Sequence, residues 1–214
     1  MRFFIGHDSR QEINTKACVH SLNRYGVEPS RIDLSKMRKL GYTRNEDGST
    51  EFAYTRFLVP YLCQYEGYAV FCDSDFIWRK DPSALLSLID PQDPVSCVQH
   101  PKMDVVSDTK FKGNKNEWYP KKWWSSMMVF NCSHYDVVEN LSLENINSKS
   151  PAWLHRMEWA SSIGNLPREY NHLVRYYEYN PESVAVHFTE GTPMYHEYSK
   201  DDYADEWKNY AGLK

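Results

Sequence analysis

Tyr68-Ala69-Val70-Phe71-Cys72-Asp73-Ser74-Asp75 is a short apolar run that ends in two carboxylates spaced i, i+2. The run reads as a strand, and in an extended backbone side chains at i and i+2 share one face. Asp73 and Asp75 therefore lie side by side at the end of a buried strand, where like charges repel unless a cation sits between them. Such a pair builds a poor core and holds a divalent metal well through oxygen ligands. The strand end is also where open α/β sheets bind their ligands.

Outward from this stretch, strand-like and helix-like segments alternate. Residues 3–6 read as a first strand and residues 9–25 as a helix, with Ile13, Ala17, Cys18 and Leu22 on its apolar stripe. Residues 32–34 read as a second strand, and residues 38–50, with Gly41 and Asp47-Gly48, as a loop. Residues 51–64 read as a helix that Pro60 kinks or stops. Beyond the carboxylates, Asp81-Pro82 opens a helix, with Asp as N-cap and Pro at the first helical position. Residues 95–99 and 124–131 read as strands, and residues 133–141 as a helix. Between those strands, residues 100–122 are lysine-rich without apolar periodicity and read as a long loop, often a functional feature. Residues 142–183 read as short helices broken by Pro151, Gly164, Pro167 and Pro181. Residues 183–188 form the last strand, and residues 201–210 an amphipathic helix carrying Tyr203, Trp207 and Tyr210. The alternation predicts an α/β fold with a mainly parallel, Rossmann-like sheet flanked by helices.

The length of 214 residues suits one large domain. A formal net charge of −4 argues against a dedicated nucleic-acid binder. The five cysteines are odd in number and scattered, with no C-x-x-C, so they read as buried free thiols in a reducing compartment. The first residues turn polar too soon for a signal peptide, and no apolar run approaches a membrane span. A cytoplasmic location is expected. The 16 Tyr and 7 Trp are rings suited to sugars and bases, or equally to filling a core.

Arg56, then Pro60, then a strand ending in Asp73-x-Asp75, then Asp81-Pro82 at a helix start, together resemble the retaining nucleotide-sugar glycosyltransferases of the GT-A fold, closest to the glycogenin and lipopolysaccharide galactosyltransferase (family 8-like) group. Other segments agree in order. Phe3-Phe4-Ile5-Gly6-His7-Asp8 resembles the first strand and loop that cradle the uracil. Trp124-Ser125-Ser126-Met127-Met128-Val129-Phe130-Asn131 resembles the family's N-A-G-V-x-x-x-N strand. Val186-His187-Phe188-Thr189-Glu190-Gly191 resembles the H-F-x-G segment, whose histidine is a metal ligand. The chain is also similar to glycosyltransferase domains of large algal viruses.

The resemblance implies a single GT-A domain over 1–214, with a nucleotide-binding half over about 1–100 and an acceptor-binding half over about 101–214. It implies transfer of a hexose from a UDP-sugar, UDP-glucose favoured, to a glycan or glycoprotein, with retention. A viral protein would act in the host cytoplasm, with a capsid protein as acceptor. The implied metal ligands are Asp73, Asp75 and His187; the implied donor-binding residues are Gly6, His7, Asp8, Arg56, Asp73, Ser74, Asp75, Ser125, Ser126 and Gly191. Glu158 and Arg56 are the implied catalytic residues. Two carboxylates and an imidazole suit Mn²⁺ better than Ca²⁺, with Mg²⁺ as a substitute. The metal would neutralise, as a Lewis acid, the charge that builds on the leaving diphosphate.

Several residues keep two readings. Asp8 either accepts from the uracil N3–H or caps a helix, where the macrodipole favours an acid. Arg56 pairs with the first motif Asp, reaches the donor sugar, or makes a surface salt bridge of little worth. Ser125 and Ser126 replace the family's Ala-Gly. The run over 110–124 interleaves lysines with Trp118, Tyr119, Trp123 and Trp124, and reads either as a lid or acceptor shelf or as a solvated loop with an apolar anchor. Two departures from the family stand out. Its G-x-x-K-P-W segment reads Gly191-Thr-Pro-Met-Tyr here, so the diphosphate lysine is missing, and Lys121, Lys122 or Lys200 would have to substitute. Its D-Q pair has only a loose match in Glu158-Trp159. Two other classes compete: a haloacid-dehalogenase-like phosphatase with Asp73 as nucleophile and Asp201-Asp202 as later acids, and a non-catalytic sugar-nucleotide-binding module.

Overall fold

The computed structural model describes residues 1–45, 48–110 and 113–213. In chain order its elements are β1 (Arg2–Gly6), α1 (Glu12–Asn23), β2 (Ser30–Ile32), α2 (Leu34–Lys39), α3 (Val59–Leu62), β3 (Tyr68–Cys72), β4 (Phe76–Trp78), β5 (Val95–Cys97), β6 (Thr109–Lys110), β7 (Asn114–Lys115), β8 (Met127–Asn131), α4 (Tyr135–Asn140), α5 (Leu143–Ser148), α6 (Pro151–His155), β9 (Gly164–Asn165), β10 (His172–Leu173), β11 (Ala185–His187) and α7 (Ala204–Ala211). The main sheet runs β2-β1-β3-β8-β5-β9. Its β2/β1, β1/β3 and β5/β9 pairs are parallel, while β8 lies antiparallel to both β3 and β5.

The sheet is apolar on both faces because helices cover both. In β3, Ala69 and Phe71 point into a core with Phe57, Leu58, Met128 and Phe130. Val70 and Cys72 point into the opposite core with Cys18, Leu22 and Val129. This period-two division is why Tyr68–Cys72 reads as an unbroken apolar run. A second sheet, β10-β11-β4, packs Ile77, Val186 and Phe188 against Trp207 of α7. All five cysteines are free and buried. Among the described residues no helix is long and apolar enough to cross a membrane.

Several local expectations change. Phe76–Trp78 is a strand, as fully buried as β3. The helix expected over 51–64 is a series of turns, then the 3-10 helix Thr55–Leu58, then the short α3. Pro60 sits in the first turn of α3 rather than kinking a longer helix, because its missing N–H is unpaired there in any case. The helix after Asp81 is 3-10, over Pro82–Ser87, with the Asp81 side chain accepting from Ser83 N. Trp124–Ser126 is a 3-10 turn, so the strand begins only at Met127. The segment 100–122 holds the two-residue strands β6 and β7. Asp47 of the 38–50 loop, and part of the 110–124 run, lie outside the described residues.

Candidate metal and nucleotide site

Strand register assembles the site. The Asp73-Ser74-Asp75 turn links β3 of the main sheet to β4 of the second sheet. Strand β4 pairs antiparallel with β11, and Phe76 lies opposite His187. The backbone N–H of Phe188 donates to the Asp75 carbonyl at 3.0 Å, so the pairing extends to the residue next to the histidine. Asp75 and His187 are thereby neighbours: His187 Nε2 lies 3.4 Å from Asp75 Oδ1. On the other side, Asp73 N–H donates to the Ser126 carbonyl at 2.9 Å, continuing the β3/β8 ladder. That pairing brings Ser125 and Ser126 to the same cavity as the two aspartates.

One ligand atom from each of Asp73, Asp75 and His187 lies within 4.8 Å of the others. Asp75 Oδ1 is buried and makes no hydrogen bond, which is costly unless a cation or a ligand meets it. The imidazole is oriented on its far side. Asn171 donates its amide N–H to Ser126 Oγ at 2.9 Å and to the Trp123 carbonyl, which leaves its Oδ1 as an acceptor. That oxygen lies 3.1 Å from His187 Nδ1, so the ring proton belongs on Nδ1 and the lone pair of Nε2 faces Asp75. Phe76 stacks on the ring at 4.4 Å. Hard oxygen donors with one oriented imidazole nitrogen fit a divalent metal such as Mn²⁺.

Arg56 takes the first of its sequence readings. Its Nη1 lies 2.9 Å from Asp73 Oδ1 and donates to the Ser125 carbonyl at 2.7 Å, while Nε donates to the Ala53 carbonyl at 3.1 Å. It is buried, packed over the Phe52 and Phe71 rings, and lines the cavity. Ser74 is buried and also lines the cavity. Ser125 Oγ lies 2.9 Å from Nδ1 of His155. Burial, with Arg56 and Arg44 nearby, drops His155 to about 3, so it is a neutral imidazole.

Other expected site residues sit elsewhere. Gly6, His7 and Asp8 do not line the cavity, although Gln11 and Thr50 do. Gly6 is needed for packing: a Cβ there would meet the Phe52 ring at 2.5 Å. His7 Nδ1 lies 3.1 Å from Thr15 Oγ1. Asp8 is fully buried and its carboxylate caps the 3-10 helix Ser9–Gln11, accepting from Arg10 N and from the Arg10 guanidinium. Burial alone would raise the Asp8 carboxyl; the bonds from Arg10 overcome it and hold the group below the usual carboxylate range. Gly191 also lies off the cavity, against the ring of Tyr198, where a Cβ would come within 2.1 Å. Glu158 is exposed and off the cavity, because the buried Met157 and Trp159 on either side turn it to solvent.

Of the three lysines weighed as substitutes, Lys122 lines the cavity. Lys121 donates to the Arg156 carbonyl, and Lys200 is exposed beside Asp201 and Asp202. Asp201 is bound by Arg175 at 2.7 Å, and neither it nor Asp202 lines the cavity that holds Asp73, so the structure gives the phosphatase reading no acid pair there. Asn171 and His155 carry no sequence signal, since each is a lone polar residue at the end of a helix of only four or five residues.

No protein-family model matches the chain. A curated relative, Protein CDI of Arabidopsis thaliana, is 38% identical over 221 residues, spanning 97% of this chain and 85% of the relative. The solved structure of the bifunctional glycosyltransferase WbbM superposes with a TM-score of 0.64 at 13% identity, and 99% of this chain covers only 49% of that one. The galactosyltransferase LgtC, solved with donor and acceptor sugar analogues, superposes with a TM-score of 0.61 at 9% identity, over 99% of this chain and 95% of LgtC. A glycosyltransferase involved in glycosylating the major capsid of PBCV-1 gives 0.53 at 13% identity, over 99% of this chain and 98% of that one. At these identities the likeness is one of fold, and the fold is GT-A.

Proposed function

The chain belongs to the family of the Arabidopsis Protein CDI, and from that premise and its GT-A fold we propose that it is a metal-dependent glycosyltransferase. It moves a hexose from a UDP-sugar, UDP-glucose favoured, to a glycan or glycoprotein acceptor with retention. One observation carries the reading: Asp73, Asp75 and His187, from three separate strand ends, bring ligand atoms within 4.8 Å of one another in a cavity at the end of the main sheet. A bound Mn²⁺ or Mg²⁺ would supply positive charge to the leaving diphosphate. Arg56 fixes the Asp73 carboxylate, and Asn171 fixes the tautomer and angle of His187. The neutral Ser125–His155 pair lines the same cavity and offers polar atoms to the sugar.

Asp73 and Asp75 are the carboxylates among the described lining residues, and both serve the metal in this reading. A retaining transfer needs no further acid if the leaving diphosphate oxygen takes the proton of the attacking hydroxyl on the same face. The relative is a plant protein, so a viral capsid acceptor gains no support from it. The test is calorimetric titration of UDP-glucose, UDP-galactose and GDP-mannose with and without Mn²⁺, followed by donor hydrolysis. Metal-dependent UDP-sugar binding and slow hydrolysis are expected, with binding abolished in D75A while the circular dichroism is retained. Metal-independent binding, or none, would refute the proposal. Binding without hydrolysis or transfer would favour a non-catalytic module.

A further inference from the structure

We propose that Lys122 is the cation that meets the donor diphosphate in this chain, a duty for which the stretch 192–195 offers no lysine; the inference rests on the glycosyltransferase reading. Lys122 is only 5% exposed, yet it lines the same cavity as Asp73, Asp75 and His187. An ammonium is rarely taken out of water without a built environment, and here one exists. Nζ donates to Asn116 Oδ1 at 2.6 Å and to the Glu117 carbonyl at 2.7 Å. It also lies 4.9 Å from the centre of the Trp123 ring. Asn116 is clamped in turn, donating to the Ser107 carbonyl at 2.9 Å and to both oxygens of Glu190 at 3.0 and 2.9 Å. Glu190 accepts from Tyr176 as well. The segment that follows His187 thus contributes a buried acid that anchors the loop carrying the lysine.

The backbone is set for this placement. Lys121 and Trp123 both adopt left-handed φ, 61° and 68°, on either side of Lys122. Non-glycine residues persist there where their surroundings over-determine them, commonly at ligand sites. Charge points the same way. Arg56, the other lysine or arginine among the described lining residues, is spent on Asp73 and on backbone carbonyls. A nucleoside diphosphate brings charge beyond what one metal held by two carboxylates neutralises, and a lysine ammonium serves phosphate as a compact point charge.

Calorimetric titration of the Mn²⁺-loaded protein with UDP and with uridine tests this. K122M is expected to weaken UDP binding tenfold or more and to leave uridine unchanged. K122R should recover much of the loss, and K121M and K200M should change neither ligand. Unaltered UDP affinity in K122M, or equal losses for UDP and uridine, would overturn the assignment. A wild-type protein that fails to bind UDP with metal would instead overturn the glycosyltransferase reading itself. Should K122M not fold, the wild-type protein is treated with a UDP analogue bearing a pyridoxal aldehyde and reduced with borohydride. Peptide mapping should then place the adduct on Lys122, and an adduct on a different lysine would overturn the proposal.

Discussion

At the scale of single residues, the tightest constraint in the site is the histidine's second hydrogen bond. His187 can offer Nε2 to a metal only while Nδ1 keeps its proton, and Asn171 Oδ1, 3.1 Å from Nδ1, accepts the hydrogen bond that keeps it there. Asn171 is itself held in one orientation, because Ser126 Oγ and the Trp123 carbonyl accept from its amide. Asn171→Leu should therefore lower Mn²⁺ affinity by roughly 10–100-fold, the range for loss of a supporting partner. The check is Mn²⁺ titration in the presence of UDP, alongside a melting curve. Unchanged metal affinity in a folded variant would show that Asn171 does not orient the ligand. Asp73 and Asp75 are legible in the sequence because two acids sharing one face straight after an apolar run suit a cation better than a core, even though a solvated strand-end turn could also carry them. Asn171 was not visible, since nothing local distinguishes it from any surface asparagine.

At the scale of elements, packing and function meet at the end of β1. Gly6 closes the strand, and the Phe52 ring lies so close that a Cβ would sit 2.5 Å from it. Phe52 also packs under Arg56, the residue that grips Asp73. Gly6→Ala should force that ring aside and destabilise the fold by about 1–3 kcal/mol, the usual cost of overpacking. A melting point several degrees lower, read by calorimetry, is expected, and an unchanged one would show that the ring yields freely. Gly6 thus bears on the cavity through Phe52, which lines it. Glu158 illustrates the reverse case. A loose motif match placed it at the reacting sugar, while the buried Met157 and Trp159 on either side face it to water. The turns over 51–54 and the short strand β4 leave no trace in the sequence pattern because both are too brief for periodicity to register.

At the scale of the whole molecule, three histidines held largely out of water make stability depend on pH. Burial, ahead of neighbouring charges, lowers His100 and His155 to about 3 and His172 to about 4. In the unfolded chain each would titrate near its ordinary value of about 6.5. Below that pH the unfolded chain binds protons that the native state refuses, so stability rises with pH between about 4 and 6.5 and falls on acidification. Each histidine contributes up to about 1.4 kcal/mol per pH unit. Urea unfolding at about pH 7.5 and pH 5 should show a loss of several kcal/mol at the lower value. Equal stabilities would mean that these rings take up protons in the folded state.

The sequence by itself determined the α/β class, the buried strand Tyr68–Cys72, the free thiols and the carboxylate pair that ends the strand. Each of these is written in local composition and spacing. Only the tertiary structure decided that Phe76 lies opposite His187, that Lys122 rather than Lys121 or Lys200 enters the cavity, and that Asp8 and Glu158 do not line it. The physical reason is range. Periodicity reports which face of an element is buried, whereas the third metal ligand is set by strand register between segments more than a hundred residues apart, and Lys122 by side-chain bonds within a loop, neither of which a local pattern encodes.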